Sequence, residues 1–375
     1  MGRTRVKNKK TSSTSAADKE EHSVEALFKK AQSLIVQCNY ELAQKFAQRI
    51  LDRAPDNADA KELLGVTQLE LGELEEARQT FQALLPPNPG APNPPPASAH
   101  LYLAQLSEND PYIALKHYEA AVEILHGQLK GKERATGVDA GETEQDIRKN
   151  IVRVLVAMVE IWMAPTYDLC FDPKAEETCE SLLRTAFETD PDNVEALISL
   201  SSFRLSQQKS DEAKEAAMKA WLSWKDIEDE DDSRIPTISM RIELVKRFIE
   251  LSEYSPALLV LQTIMASDDQ EVEAWYLEGW CFYLMAEQAK NENIKIEDLS
   301  WEELAKDSRD CLETCKVLHT NLQHPDSNLL EHTMELIGQL DALGIKPSSD
   351  EQPNDTAEDW EDVDDSDDDD DVEMS

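Results

Sequence analysis

The sequence predicts an all-α superhelical solenoid of about seven helix pairs with a C-terminal capping helix, and three observations predict it. Two 34-residue units stand end to end and in register over residues 24–91. The 375-residue chain is 41% hydrophobic, enough for a large core, yet it has only 11 glycines and no strand-like alternation. Proline recurs at one fixed position late in each unit, where a second helix has to stop.

Aligned on Val24 and Ala58, the two units place Leu27 at the fourth position and Ala31 and Gly65 at the eighth. Tyr40 and Leu74 fall at the seventeenth, Ala43 and Ala77 at the twentieth, and Pro55 and Pro89 at the thirty-second. This is the tetratricopeptide-repeat (TPR) pattern. Two helices of about 14 residues cross closely only where small residues let their backbones meet, which sets Ala31 or Gly65 against Ala43 or Ala77. Bulky residues then fill the groove toward the next unit.

A basic leader, residues 1–23, precedes the array at 24–344, and an acidic tail, 345–375, follows it; composition predicts disorder for both ends. After repeats 24–57 and 58–91, "PPNPGAPNPPPA" reads as a stiff spacer or a proline-rich groove ligand. A third repeat, 97–126, pairs Ala97–Leu106 with Pro111–His126, carrying Ala114, Tyr118 and Ala121 in phase, and Gly127–Glu142 reads as a loop. The fourth, 144–191, opens on the apolar run "IVRVLVAMVEIWM", suited to burial on both sides, and is interrupted by "APTYDLCFDP". The fifth, 194–225, keeps Leu197, Leu200, Ser201, Ala213, Ala217 and Ala220 in phase, and the acidic loop "DIEDEDDSRIP" follows it. The sixth, 238–271, has Leu244, Tyr254, Pro256, Ala257 and Ile264 in phase; the seventh, 272–322, begins with Trp275 and Gly279 in phase. "AKNENIKIEDLS" delays its second helix, which Ser300 and Glu303 restart as a capping box. The last helix, 326–343, has no sequence partner and is stopped by Gly344 and Pro347, as expected of a segment that caps a solenoid.

The net charge is −40. Residues 1–10 hold five basic residues and no acid, and 347–375 hold 15 acids and no base, so the segment between still carries −30. An array of that sign repels nucleic acid and anionic lipid and attracts a basic protein, so neither direct nucleic-acid binding nor membrane association is expected. The six cysteines form no framework, the N-terminus lacks an apolar signal core, and no run approaches a bilayer span; a reduced, cytosolic or nuclear setting follows. "GRTRVKNKK" reads either as a nuclear-import patch or as a solvated end.

No phosphate-binding glycine loop, nucleophile elbow or zinc-protease motif is present, so an enzyme and a cofactor are not expected. Cys311, Cys315 and His319 share one helical face, but without a second Cys/His pair they read as packing groups and not as a metal site. The inner groove of such an array is lined from positions 2, 5, 9, 12 and 13 of each first helix. Those positions are Asp59, Glu62 and Glu70 in the second repeat, Glu195 and Ile198 in the fifth, and Ile242, Ile249 and Glu250 in the sixth. The seventh supplies Glu273, Tyr276, Trp280 and Tyr283. Acids interleaved with aromatics suit a Lys/Arg-rich peptide, and packing within the array is the competing account of the aromatics. The Lys/Asn/Arg clamp that grips acidic chaperone C-termini is absent: the matching residues include Phe28, Gln32, Glu62 and Val66.

The order of these features, a basic leader, an in-phase pair at 24–91, a proline-rich break, interrupted later repeats and the tail "EDWEDVDDSDDDDDVEMS", resembles the fungal assembly chaperones dedicated to large-subunit ribosomal protein four. That resemblance implies a non-enzymatic escort of a newly made basic ribosomal protein. It implies shielding of the client's basic loop, passage from cytoplasm to nucleus with an import receptor acting through the client, and handover to the pre-60S particle. A monomer, or a 1:1 heterodimer with the client, is expected. The tail residues Asp359, Trp360, Glu361, Asp367, Asp368 and Asp369 would cover further basic surface, and Ser366 is a candidate for an acid-directed kinase or a spacer. A histone-chaperone-like protein and a TPR scaffold subunit remain as alternatives.

Overall fold

The computed structural model describes residues 23–107, 109–134, 143–228, 232 and 234–348; residues 1–22 of the basic leader and 349–375 of the acidic tail lie outside them. Among the described residues there are 15 α-helices and no strand. We number them α1 (Val24–Val36), α2 (Tyr40–Leu51), α3 (Ala58–Glu70), α4 (Leu74–Gln82), α5 (Ala97–Gln105), α6 (Pro111–Arg134), α7 (Glu144–Met163) and α8 (Ala175–Thr189). The series continues with α9 (Val194–Ser206), α10 (Ser210–Leu222), α11 (Ile238–Glu250), α12 (Tyr254–Ser267), α13 (Val272–Glu292), α14 (Trp301–Leu322) and α15 (Ser327–Ala342). The chain divides after Leu251 into two compact units.

Local chemistry starts and stops these helices. Asn57 and Asn193, the last residues of "APDN" and "DPDN", cap α3 and α9 by accepting from the backbone N–H groups of Ala60 and Ala196. Capping boxes open α7, through Thr143 and Asp146, and α14, through Ser300 and Glu303 as the sequence predicts. The turn within a repeat uses a left-handed residue at its fifteenth position: Cys38, Gly72, Gln208 and Ser252, with φ of 55°, 77°, 61° and 59°. Only Gly72 adopts that conformation without steric cost.

In the first unit the helices pair in sequence and the first helices of successive repeats also touch, α1 with α3, α7 with α9 and α9 with α11. The small residues lie at the crossings: Ala31, Ala43 and Ala77 are fully buried, and the Phe81 ring lies against Gly65 so closely that a Cβ there would come within 2.6 Å of it. Ile151, Val152, Val154, Leu155 and Val156 of α7 form the centre of a core cluster, as the unbroken apolar run requires. The interruption in the fourth repeat folds as two 3-10 turns, Pro165–Tyr167 and Leu169–Phe171, and Leu169 anchors it among Leu115 and Met158.

Two readings are corrected. Gly127–Glu142 is not wholly a loop: α6 runs on to Arg134, because buried Leu125 and Leu129 hold that turn against α7 while Gly127 and Gly131 face open space. Likewise α13 continues to Glu292, four residues into "AKNENIKIEDLS", with Ala289 buried.

In the second unit, α15 packs on α14 through Leu329, Leu336, Ile337 and Leu340. Arg309 of α14 holds it, donating to the Ile337 carbonyl at 3.1 Å and to Asp341 at 2.5 Å. Cys311, Cys315 and His319 are spent on packing: Cys311 Sγ meets Glu278 at 3.6 Å, Cys315 Sγ meets Thr333 at 3.7 Å, and His319 Nε2 donates to the Asp326 carbonyl at 2.7 Å. Burial pushes both thiols up, with the nearby Glu278 charge adding to it at Cys311, so neither is a ready thiolate.

Candidate functional site

The first helices of three consecutive repeats, α7, α9 and α11, enclose a hollow of about 440 Å³ in the first unit. Its floor is apolar, made by Val156, Val159, Met163, Ala164, Ile198 and Met240; Ser199, Ser202 and Ser239 line its walls. Glu160 from α7, Glu195 from α9 and Glu243 from α11 stand around that floor, with Arg247 the one basic lining residue.

The three acids differ in how far they are already satisfied. Glu243 is held by Lys246 at 2.8 Å and lies 3.8 Å from Arg247. Arg247 in turn reaches Glu250 at 3.0 Å and donates to the Ser202 hydroxyl at 3.3 Å. Glu160 and Glu195 form no ion pair among the described residues. Burial pushes the Glu160 carboxyl up, and the charges of Glu195 and Glu243 push it further; burial also raises Glu195, against a weaker opposing pull from Arg153. Glu160 keeps access to water at the edge of the hollow, and its shift comes from the protein crowded around it. Glu195, half-buried and without an ion pair, gains more from an incoming cation than a surface acid does, and the exposed Glu160 beside it adds its charge.

A smaller hollow of about 230 Å³ lies between α1 and α3, bounded by Phe28, Gln32, Asp59, Glu62, Leu63 and Val66. Asp59 is exposed and Glu62 half-buried. Glu70 is exposed and does not line this hollow, but it acts with Glu62 on one group: the Tyr102 phenol, raised chiefly by burial, is raised further by both charges.

The residues expected in the groove therefore separate. Glu195 and Ile198 come together in the larger hollow, Ile198 with little surface left, and Asp59 and Glu62 share the smaller one. Ile242 and Ile249 are corrected: both are buried in the core of α11, although Glu62 and Ile198, at the same position 5 of their own helices, line the hollows. The sixth position, occupied by Leu63, Ser199 and Glu243, opens to the hollows as well. Glu250 is exposed and spends its charge on Arg247. Glu273 sits in the first turn of α13, where its N–H donates to Glu271 at 3.2 Å.

The aromatics follow the packing account. Tyr276 hydrogen-bonds His332 of α15 at 2.8 Å, Trp280 meets the same imidazole edge-on with centroids 5.7 Å apart, and the Tyr283 hydroxyl donates to Gln339 at 2.5 Å. An open aromatic wall is thus replaced by one that the capping helix occupies. Asp359, Trp360, Glu361, Ser366, Asp367, Asp368 and Asp369 lie outside the described residues.

Glu160, Glu243 and Arg247 escaped the sequence reading. The interruption hid the phase of the fourth repeat, and position 6 was not counted as inward-facing; Glu160, three residues before the end of the apolar run, was the available signal. Among the described residues no group of three or more metal-ligating side chains converges, and no described helix is long and apolar enough to cross a membrane.

Helix pairs crossing on small residues, left-handed turns at a fixed position and hollows bounded by consecutive first helices define a tetratricopeptide-repeat protein. Residues 28–92 match the Tetratricopeptide repeat family itself. Two curated relatives, each called a probable assembly chaperone of rpl4, lie closer: that of Schizosaccharomyces pombe is 32% identical over 84% of this chain and 89% of its own. That of Emericella nidulans is 29% identical over 90% of this chain and 88% of its own. The chain belongs to the family of these assembly chaperones. A solved structure of Assembly Chaperone of RpL4 (Acl4), residues 1–338, superimposes with a TM-score of 0.61 at 27% identity, covering 72% of this chain and 99% of that one.

Proposed function

We propose that this protein is a dedicated, non-enzymatic chaperone of a newly made basic ribosomal protein, rpl4 by family. It shields a cationic segment of that client on the inner face of its repeats. The observation that carries the reading is the α7/α9/α11 hollow, where unpaired Glu160 and Glu195 stand over an apolar floor. A Lys or Arg side chain suits such a place because its stem is aliphatic and its head charged. The net charge of −40 accelerates encounter with a basic chain, and a competitor of higher charge density, such as ribosomal RNA, releases it to the pre-60S particle. The complex is 1:1. It forms in the cytoplasm and enters the nucleus through an import receptor that reads the client, and the acidic tail covers further basic surface.

Titration calorimetry of the full chain with purified rpl4 tests this. Affinity falls steeply between low and high ionic strength; an affinity indifferent to salt removes the proposal. Glu62→Lys with Glu70→Lys weakens capture, and deletion of residues 348–375 weakens it less. Fluorescent tagging in yeast tests the route: the protein occupies both cytoplasm and nucleus, and exclusion from the nucleus removes that part.

A further inference from the structure

Resting on that function, we infer that capture is anchored at one point: the α7/α9/α11 hollow receives a single Lys or Arg side chain of the client. A uniformly acidic surface would hold a basic chain by its mean charge. The hollow is different on three counts. Its volume of about 440 Å³ admits an extended Lys or Arg side chain but not a folded segment. Its floor, from Val156, Val159, Met163 and Ile198, matches an aliphatic stem. Its acids are unequally engaged, because Lys246 and Arg247 already answer Glu243, whereas Glu160 and Glu195 are left without an ion-pair partner among the described residues. The charge complementarity is therefore local, directed to the α7/α9 side, and it selects a cation with an apolar stem over a bare inorganic ion.

The test is a set of double-mutant cycles on the full chain and full-length rpl4. Each Lys and Arg of the client's most basic segment is changed singly to Met and measured against the unaltered chaperone, Glu195→Gln and Glu160→Gln. One client position loses affinity by about tenfold or more, and that loss shrinks to about twofold or less in the Glu195→Gln background. Losses spread evenly over the basic positions, and additive with Glu195→Gln, overturn the anchor and leave a diffuse acidic surface. Failure of the unaltered proteins to bind overturns the functional reading, and the anchor with it. Circular dichroism of the Gln variants keeps a folding defect from passing as lost coupling.

Discussion

The hydroxyl of Tyr276 lies 2.8 Å from Nδ1 of His332, and Trp280 stacks on that same tyrosine with centroids 5.9 Å apart. One imidazole thus fastens α15 over the aromatic row of α13. His332→Ala removes a hydrogen bond and two edge-on ring contacts, and it destabilises the second unit by about 1–2 kcal/mol. Urea unfolding measures the loss, and red-shifted tryptophan emission with faster iodide quenching reports the uncovered row. An unchanged midpoint would show that the Leu336, Ile337 and Leu340 face and the Arg309 contacts hold α15 without it.

Gly65 is required by Phe81. Alanine is the better helix former by about 1 kcal/mol, so on propensity alone Gly65→Ala stabilises α3. A Cβ at that position meets the ring at 2.6 Å, and the ring is fully buried and stacked on Tyr102 with centroids 4.6 Å apart. Overpacking wins: the expected net loss is about 1–2 kcal/mol, seen as a lower urea midpoint at constant slope. A gain in stability would mean that the α3–α4 crossing can open.

Function and stability oppose one another in the larger hollow. The folded-state pKa values of Glu160 and Glu195 are raised, so their ionised forms are the less favourable ones in the native protein. The penalty is absent below the ordinary carboxylate value of about 4.3 and appears as pH rises through the raised values. Glu195→Gln therefore raises Tm at pH 7 by about 1–2 °C and gives no gain near pH 4, while weakening capture of the client. Differential scanning fluorimetry at the two pH values checks the sign.

Acid weakens the third repeat through the pair of His100 and His117, whose Nδ1 atoms are 3.0 Å apart between α5 and α6. Burial lowers both pKa values, the charge of His117 lowers His100 further, and Arg78 lowers His117 further. Their contribution is complete above the unfolded value of about 6.5 and is lost as pH falls through the depressed folded values. The unfolding midpoint accordingly drops on acidification from pH 7 toward pH 5, and His117→Gln makes that slope shallower. An equal slope in the variant would assign the acid sensitivity elsewhere.

The two units with an unbroken 34-residue period were legible to the residue, since their crossings depend only on where alanine, glycine and proline stand in the chain. Legibility fell where local signals and packing disagree. Gly127 and Gly131 signal a loop, yet Leu125 and Leu129 find a buried surface on α7 and keep the segment helical to Arg134. Position 5 counts as inward-facing on an isolated helix, and Glu62 and Ile198 line hollows there, yet Ile242 at the same position is buried and Glu243, one residue on, lines the opening.

Sequence alone determined that the chain is a helical repeat array of strong negative charge, because periodicity and net charge are linear properties that need no third dimension. Only the tertiary structure decided which acids stand unpaired over an apolar floor, and that the Tyr276, Trp280 and Tyr283 row is occupied by α15. Whether a carboxylate is free or spent depends on which side chains from other helices come within a few ångströms of it. That distance is set by how the helices pack, and no spacing along the chain records it.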